Sequence, residues 1–401
     1  MRKIILTIIS SCLICCSVLL TGVDLNKNEF DCQTSLTVNA MSNSDANLVQ
    51  DCKSAYLCDY YSGECIYEYN PTARMPIASV CKVMTLNLCF EAIGQGKIDP
   101  DAKICVSKNA SGMGGSQVFL KDGLNYEVSQ LIKSIIVCSA NDSCVALAEA
   151  ICGSEDAFVA LMNSRAKEYG CNDTLFANCT GLPKDTQYSC AKDVSIMFRN
   201  LLKYENYFSF SKIWLEDFTH PDGRTTSMTN TNKLIRRYSA CDGGKTGFTN
   251  EAGFCLASTA KKDNLRLISV VLGSSSSDTR FSSTVNMFNY GFANYKNSIV
   301  LDDSVNLNQT ASVVGGKKEE ISIRPSRLGT VFTKKGEKPN ITFNFVPQKL
   351  CAPVKKGDIA GKMEVYKNGV LYDTVDVLAA EDAERATYFD NARKIAAGWR
   401  L

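Results

Sequence analysis

The sequence predicts an α+β fold, with an antiparallel sheet flanked by helices, then a small all-β domain and a C-terminal amphipathic helix. Three observations carry this. Strand-like runs open the globular part, helical runs fill its middle, and strand-like runs return before another helix, so the sheet is completed by segments distant in the chain. Composition changes near residue 297, after which short strand-like runs alternate with turn signals at Gly315-Gly316, Gly336 and Lys367-Asn368-Gly369. Near the end, Tyr388, Ala392, Ile395 and Trp399 recur at helical spacing and form one apolar face.

Composition sets limits on function. The 401 residues carry 44 lysines and arginines against 42 aspartates and glutamates, a net charge of +2. That balance argues against nucleic acid as a partner, because its binders carry a strong basic excess. Apolar residues make up 45% and charged residues 21%, a globular and not a disordered composition. The single histidine, His220, argues against a Ser-His-Asp triad or a histidine-based metal site. A catalytic serine here needs another base.

The elements follow in order. Met1-Arg2-Lys3 precedes an apolar run from Ile4 to Leu20, which reads as a secretory signal peptide. The rival is a retained anchor, since a spanning helix needs about 18 apolar residues. Val38-Asn39-Ala40 offers a cleavage site, with an earlier cut near Thr21-Gly22 as the alternative. Residues 1–40 are therefore read as signal peptide and leader, and export is expected. Ala55 to Cys58 and Cys65 to Tyr69 form a hairpin around Ser62-Gly63. Ser79 to Ile93 is a buried helix stopped at Gly94. Helices Val128 to Val137, Asp142 to Cys152, Glu155 to Tyr169 and Ala191 to Tyr204 follow, two of them with glycine stops. Strands Gly253 to Thr259 and Leu265 to Leu272 flank a charged turn, and Ser283 to Tyr295 is a further helix. The main domain is thus placed at 41–297, a β-sandwich at 298–380 and the amphipathic helix at 381–401. That helix carries Arg385, Arg393, Lys394 and Arg400. It either packs on the β domain or lies on a membrane surface.

Nineteen cysteines are present. In an exported protein they suggest disulfides, yet Cys81, Cys89, Cys138, Cys144 and Cys255 sit inside apolar runs, where cysteine acts as a small hydrophobe. Mostly free, buried thiols are expected. No Cys-x-x-Cys pair occurs outside the signal segment, so no metal site is expected.

Three short motifs carry chemistry. In Ser79-Val80-Cys81-Lys82 the serine and lysine lie one helical turn apart on one face. A desolvated lysine near other cations loses its proton readily and can then take the serine proton. The plain alternative is that Ser79 caps a helix. Ser139-Ala140-Asn141 lies between two predicted helices. It reads either as a cap or as a relaying hydroxyl with an amide that holds a substrate carbonyl. Lys245-Thr246-Gly247 reads either as a turn before the strand at Gly253 or as a functional group of three. In the latter, Lys245 tunes Ser139, Thr246 binds a carboxylate, and Gly247 allows close backbone approach.

The trio in this order resembles the motif set of class A β-lactamases and penicillin-binding proteins. Asp59-Tyr60-Tyr61-Ser62-Gly63, Met75-Pro76-Ile77-Ala78-Ser79, Gly114-Gly115-Ser116, Thr180-Gly181-Leu182-Pro183 and Asp242-Gly243-Gly244-Lys245-Thr246-Gly247-Phe248-Thr249 narrow the likeness. The chain resembles the serine-type D-alanyl-D-alanine carboxypeptidases, low-molecular-mass penicillin-binding proteins. The likeness covers about residues 50–295 and extends more loosely to Ala352-Pro353-Val354-Lys355-Lys356-Gly357-Asp358.

The resemblance implies a β-lactamase/transpeptidase-like main domain. It also implies attack by Ser79 on the penultimate D-alanine carbonyl of a peptidoglycan stem peptide, with Lys82 as base. Ser139 passes the proton to the leaving D-alanine, and Asn141 holds the peptide amide. The N–H groups of Ser79 and Phe248 form the oxyanion hole. Thr246 and Arg280 bind the terminal carboxylate, the alternative for Arg280 being a structural ion pair. Water completes the hydrolysis without a metal or organic cofactor, β-lactams trap Ser79, and the C-terminal helix contacts the outer face of the cytoplasmic membrane. Cys81 and Gly244 depart from the family pattern without removing a functional group. A class A β-lactamase is disfavoured because no Glu-x-x-Leu-Asn type loop lies between Asn141 and Lys245. A transpeptidase and a silent wall-binding protein are the remaining alternatives.

Overall fold

The computed structural model describes residues 47–302 and 309–398. The signal peptide and leader at 1–40, together with Trp399 and Arg400, lie outside the described residues.

The hairpin forms as expected, from β1 (Ser54–Asp59) and β2 (Cys65–Tyr69). The Ser62 N–H and hydroxyl both donate to Asp59 Oδ2 at its turn. The helix expected from Ser79 begins differently. A one-turn 3-10 segment, Ala78–Cys81, precedes α1 (Lys82–Gly94), and Ala78 holds φ +47°. Ser79 is therefore not a helix cap, since Cys81 occupies that position without a side-chain capping bond. The left-handed Ala78 forces a tight turn that lifts Ser79 out of the regular helix.

β3 (Lys103–Cys105) and β4 (Asn125–Glu127) pair around α2 (Lys108–Ser111). The helical block is α3 (Val128–Cys138), α4 (Asn141–Cys152), α5 (Glu155–Glu168) and α6 (Ala191–Leu201). Gly153 and Gly170 end two of these at φ +81° and +77°, the left-handed stop that glycine adopts without strain. α7 (Glu205–Ser211), the hairpin β5 (Leu215–Thr219) and β6 (Thr225–Thr229), and α8 (Leu234–Arg237) were not predicted. Each hairpin strand buries one residue, Phe218 or Met228, so no apolar alternation marks it.

β7 (Cys241–Thr249), β8 (Gly253–Lys262) and β9 (Leu265–Ser274) complete an antiparallel sheet in the order β2-β1-β9-β8-β7. Ser54 thus lies opposite Leu272. The following helix, α9 (Ser277–Asn294), starts six residues before its predicted Ser283, because the Ser276 hydroxyl caps it by accepting from Thr279 N. The sheet separates two apolar layers. Tyr56, Cys58, Ile268 and Val270 face the helical block, while Ala55, Leu57, Leu267 and Val271 face α9. That is the two-residue alternation of a strand buried on both sides.

Beyond α9, β10 (Tyr295–Leu301), β11 (Thr310–Val314), β12 (Glu320–Pro325), β13 (Gly329–Lys334), β14 (Ile341–Pro347), β15 (Leu350–Cys351), β16 (Ile359–Lys367) and β17 (Val370–Ala379) form the all-β part. Its six-stranded sheet runs β14-β16-β17-β12-β11-β15, and β10 pairs with β13. The tie to the five-stranded sheet is specific. Asn297 Nδ2 donates to buried Asp59 Oδ1 at 2.7 Å, and Tyr295 and Phe332 belong to the same apolar cluster as Ala55, Leu57 and Leu267.

The last helix starts later than the predicted residue 381. α10 spans Tyr388–Gly398 because Thr387 and Asp390 cap each other's backbone N–H groups, a capping pair that fixes the start. Cysteines 52 to 351 are all free thiols. No helix among the described residues is long and apolar enough to cross a membrane.

Candidate active site

The geometry starts from the tight turn. Gly181 and Gly247 press against it from two sides. A Cβ on Gly181 would stand 2.0 Å from Ala78 O, and one on Gly247 would stand 2.7 Å from Ile77 O and 3.0 Å from Ser79 N. Only glycine permits that approach, which brings the β7 main chain beside the Ser79 N–H.

Lys82, the first residue of α1, is fully buried, and its Nζ lies 2.8 Å from Ser79 Oγ. The amine also donates to the Thr180 carbonyl. Burial holds its pKa below the ordinary lysine value, because a charged amine is poorly solvated there. A neutral lysine has a lone pair to accept the serine proton.

Ser139 closes α3 in a left-handed conformation, φ +67° and ψ 34°. Its Oγ accepts from Lys245 Nζ at 2.8 Å, and Lys245 donates a second bond to Thr246 O. Burial, and then the neighbouring Lys82 charge, push the Lys245 amine well below its usual pKa. The two lysine–serine pairs therefore share one electrostatic environment. Asn141 is not a cap either, since Ala140 holds that position. Its Nδ2 donates to Gly114 O and its backbone N–H to Ser116 O, both at 2.7 Å. Its Oδ1 is buried without a hydrogen-bond partner among the described residues. Beneath it, the Asp142 carboxylate accepts the N–H groups of Val118, Leu120 and Ser143, which fixes the adjoining loop.

Lys245-Thr246-Gly247 does not form a turn but the middle of edge strand β7. The strand is rich in glycine and carries a buried lysine, so its sequence reads as a loop. Phe248 follows, half exposed, its ring 4.3 Å from that of Phe254. Arg280 reaches up from α9. Its Nη1 donates to Gly247 O at 3.3 Å and Cys255 O at 3.0 Å, and Nη2 to Ser277 Oγ. Among the described residues these partners are carbonyls and a hydroxyl, with no carboxylate paired to it. Burial lowers its guanidinium to about 10.

The structure thus pairs Ser79 with Lys82 and Ser139 with Lys245 by direct hydrogen bonds, and the Lys82 charge acts on Lys245, with Asn141 two residues after Ser139 and Thr246, Gly247 and Phe248 following Lys245 on β7. His220 stands apart, bonded to Tyr126 and Thr226. Sequence reading missed the Thr180 carbonyl and the loop around it. The only signal there was the Thr180-Gly181-Leu182-Pro183 string, and a main-chain oxygen leaves no residue-type signature.

Residues 39–276 match the family profile described as D-alanyl-D-alanine carboxypeptidase, and residues 295–385 match penicillin-binding protein 5, C-terminal domain. The chain is 36% identical to D-alanyl-D-alanine carboxypeptidase DacF of Bacillus subtilis (strain 168), over 88% of this chain and 91% of that protein. It is 30% identical to D-alanyl-D-alanine carboxypeptidase DacC of Escherichia coli (strain K12), over 84% and 86%. Among solved structures it resembles penicillin binding protein 5 from Haemophilus influenzae. The TM-score is 0.64 at 28% identity, covering 84% of this chain and 98% of that one.

Proposed function

Since the chain belongs to the D-alanyl-D-alanine carboxypeptidase family, we propose that Ser79 is its nucleophile and the neutral Lys82 amine its base. The protein is a serine-type D-alanyl-D-alanine carboxypeptidase. It removes the terminal D-alanine from peptidoglycan stem peptides through a serine acyl-enzyme and binds penicillin covalently.

In the proposed course, the Ser79 proton passes to Lys82 Nζ as Oγ bonds the penultimate D-alanine carbonyl carbon. The resulting oxyanion lies between the N–H groups of Ser79 and Phe248. Asn141 Oδ1 accepts a substrate amide N–H, and Thr246 with Arg280 attracts the terminal carboxylate. Arg280 acts largely through Gly247, whose carbonyl it grips. Collapse breaks the C–N bond, and Ser139, polarised by Lys245, gives its proton to the departing amine as it takes the Ser79 proton from Lys82, which leaves the Lys82 amine neutral again. Water then attacks the ester and releases the shortened peptide. None of these steps calls for a metal or organic cofactor.

The observation that carries this reading is the pair of 2.8 Å contacts, Lys82 to Ser79 and Lys245 to Ser139. The test mixes purified protein with a peptide ending in D-alanyl-D-alanine and measures free D-alanine with and without penicillin. Release that penicillin blocks, and that Ser79→Ala abolishes together with penicillin labelling, supports the assignment. Undiminished release by Ser79→Ala overturns it.

A peptidoglycan substrate fits an extracytoplasmic location. The finer reading is export directed by residues 1–40, a catalytic domain at 41–297, a β-sandwich at 298–380, and contact of the C-terminal helix with the outer face of the cytoplasmic membrane. Supporting the last point, Tyr388, Phe389 and Ile395 are exposed apolar side chains on α10.

A further inference from the structure

We propose that Asn178 is a positioning residue for the Lys82 amine, acting through the Thr180 carbonyl. The proposal rests on the assignment of Lys82 as the Ser79 base. A neutral lysine offers two N–H donors and one lone pair, and it serves Ser79 only when the lone pair points at the serine hydroxyl. A general base of this kind needs a third group to orient it. The Thr180 carbonyl takes one Lys82 N–H and so restricts rotation of the amine. After proton transfer the same oxygen stabilises the ammonium.

What aims that carbonyl is Asn178. Its Oδ1 accepts the N–H groups of Thr180 (3.1 Å) and Gly181 (2.7 Å) and the Thr180 hydroxyl (3.1 Å). Its Nδ2 donates to Leu182 O at 2.9 Å. One buried amide thus folds three consecutive residues, 180–182, around itself. Gln187 holds Asn178 in turn, its Oε1 accepting the Asn178 N–H at 3.1 Å. The loop is fastened to the helix start on both sides of Lys82, because Cys81 Sγ donates to Asn178 O and Thr85 Oγ1 to Cys179 O. Asn178 is itself buried, so it acts through Thr180.

The titratable groups that act electrostatically on the Lys82 amine are Cys81 on its own turn, Cys144 from α4, Cys179 from the loop and Cys138 at the end of α3, and Lys82 in turn acts on Lys245 from β7. Glu155 lies behind Cys179, accepting from its Sγ. None of these is a carboxylate in contact with Lys82, so besides Ser79 Oγ the Thr180 oxygen is the acceptor that serves the ammonium.

The test compares wild type, Asn178→Ala and Thr180→Val for D-alanine release from a D-alanyl-D-alanine peptide across pH, per folded molecule. Asn178→Ala is expected to lower kcat about ten- to hundredfold, the usual consequence of a catalytic group misplaced by about 1 Å. It is also expected to move the acid limb of the profile to lower pH by about one unit, because the ammonium loses an acceptor. Thr180→Val, which weakens the same clasp without emptying space, moves the limb in the same direction by less. It decides the matter if the alanine variant does not fold. An unshifted limb in the variants that fold, with any loss matched by the folded fraction, overturns the proposal. An inactive wild type, or an active Lys82→Ala, would instead strike at the base assignment itself.

Discussion

Lys245 Nζ meets Ser139 Oγ at 2.8 Å, and Ser139 presents that oxygen from a left-handed backbone conformation. Left-handed serine is strained by roughly 1 kcal/mol, so the turn between α3 and α4 holds the hydroxyl where a relaxed chain would not. Ser139→Gly relieves the strain and forfeits a bond worth about 1 kcal/mol. Stability should change by less than about 1 kcal/mol in urea unfolding, while D-alanine release falls about 10²- to 10⁴-fold.

The buried lysines set a pH dependence with a definite sign. Both folded amines have lowered pKa values. As pH falls below the ordinary lysine value of about 10.4, the unfolded chain binds protons first, so the fold loses stability down to the lowered values and none further below them. Lys245→Met removes one such group. Its thermal midpoint should vary less with pH across that window than the wild-type midpoint, while D-alanine release is strongly reduced. In the wild type, activity should rise with pH through the Lys82 titration, below the ordinary lysine range.

Gly181→Ala tests the contact behind the nucleophile. The added carbon would meet Ala78 O at 2.0 Å, at a backbone φ of +83°. The combined clash and strain should cost about 3 kcal/mol or more. Urea unfolding should give that loss, and labelling of Ser79 by a fluorescent penicillin should slow even in the fraction that remains folded.

The surface of α10 provides a fourth test. Tyr388 and Phe389 are 82% and 76% exposed. Burying such side chains in a lipid interface contributes about 1.5–3 kcal/mol each. Changing both to Ser should weaken partitioning to vesicles containing anionic lipid more than tenfold and leave hydrolysis of a soluble peptide intact. Unchanged partitioning would rule out membrane contact by this helix.

Much of this was legible in the sequence where a residue type has one physical use. Gly153 and Gly170 marked helix ends, and the four, three and four spacing marked the last helix. The serine and lysine pairs were visible as motifs. The β5–β6 hairpin was not, because each strand buries a single side chain. β7 read as a turn, because three glycines and a buried lysine occupy positions where a strand normally shows β-branched residues. The start of α1 was misplaced because nothing about Ala78 announces a positive φ. Asn178 was invisible for a different reason, since its work is done through another residue's backbone.

The oxygen that faces Lys82 belongs to a peptide bond. Every amino acid at position 180 carries that atom, so no exchange of side chain there can delete it. Evolution or an engineer wishing to retune the amine must instead bend the chain path, and the places to do so are the neighbours that shape the loop.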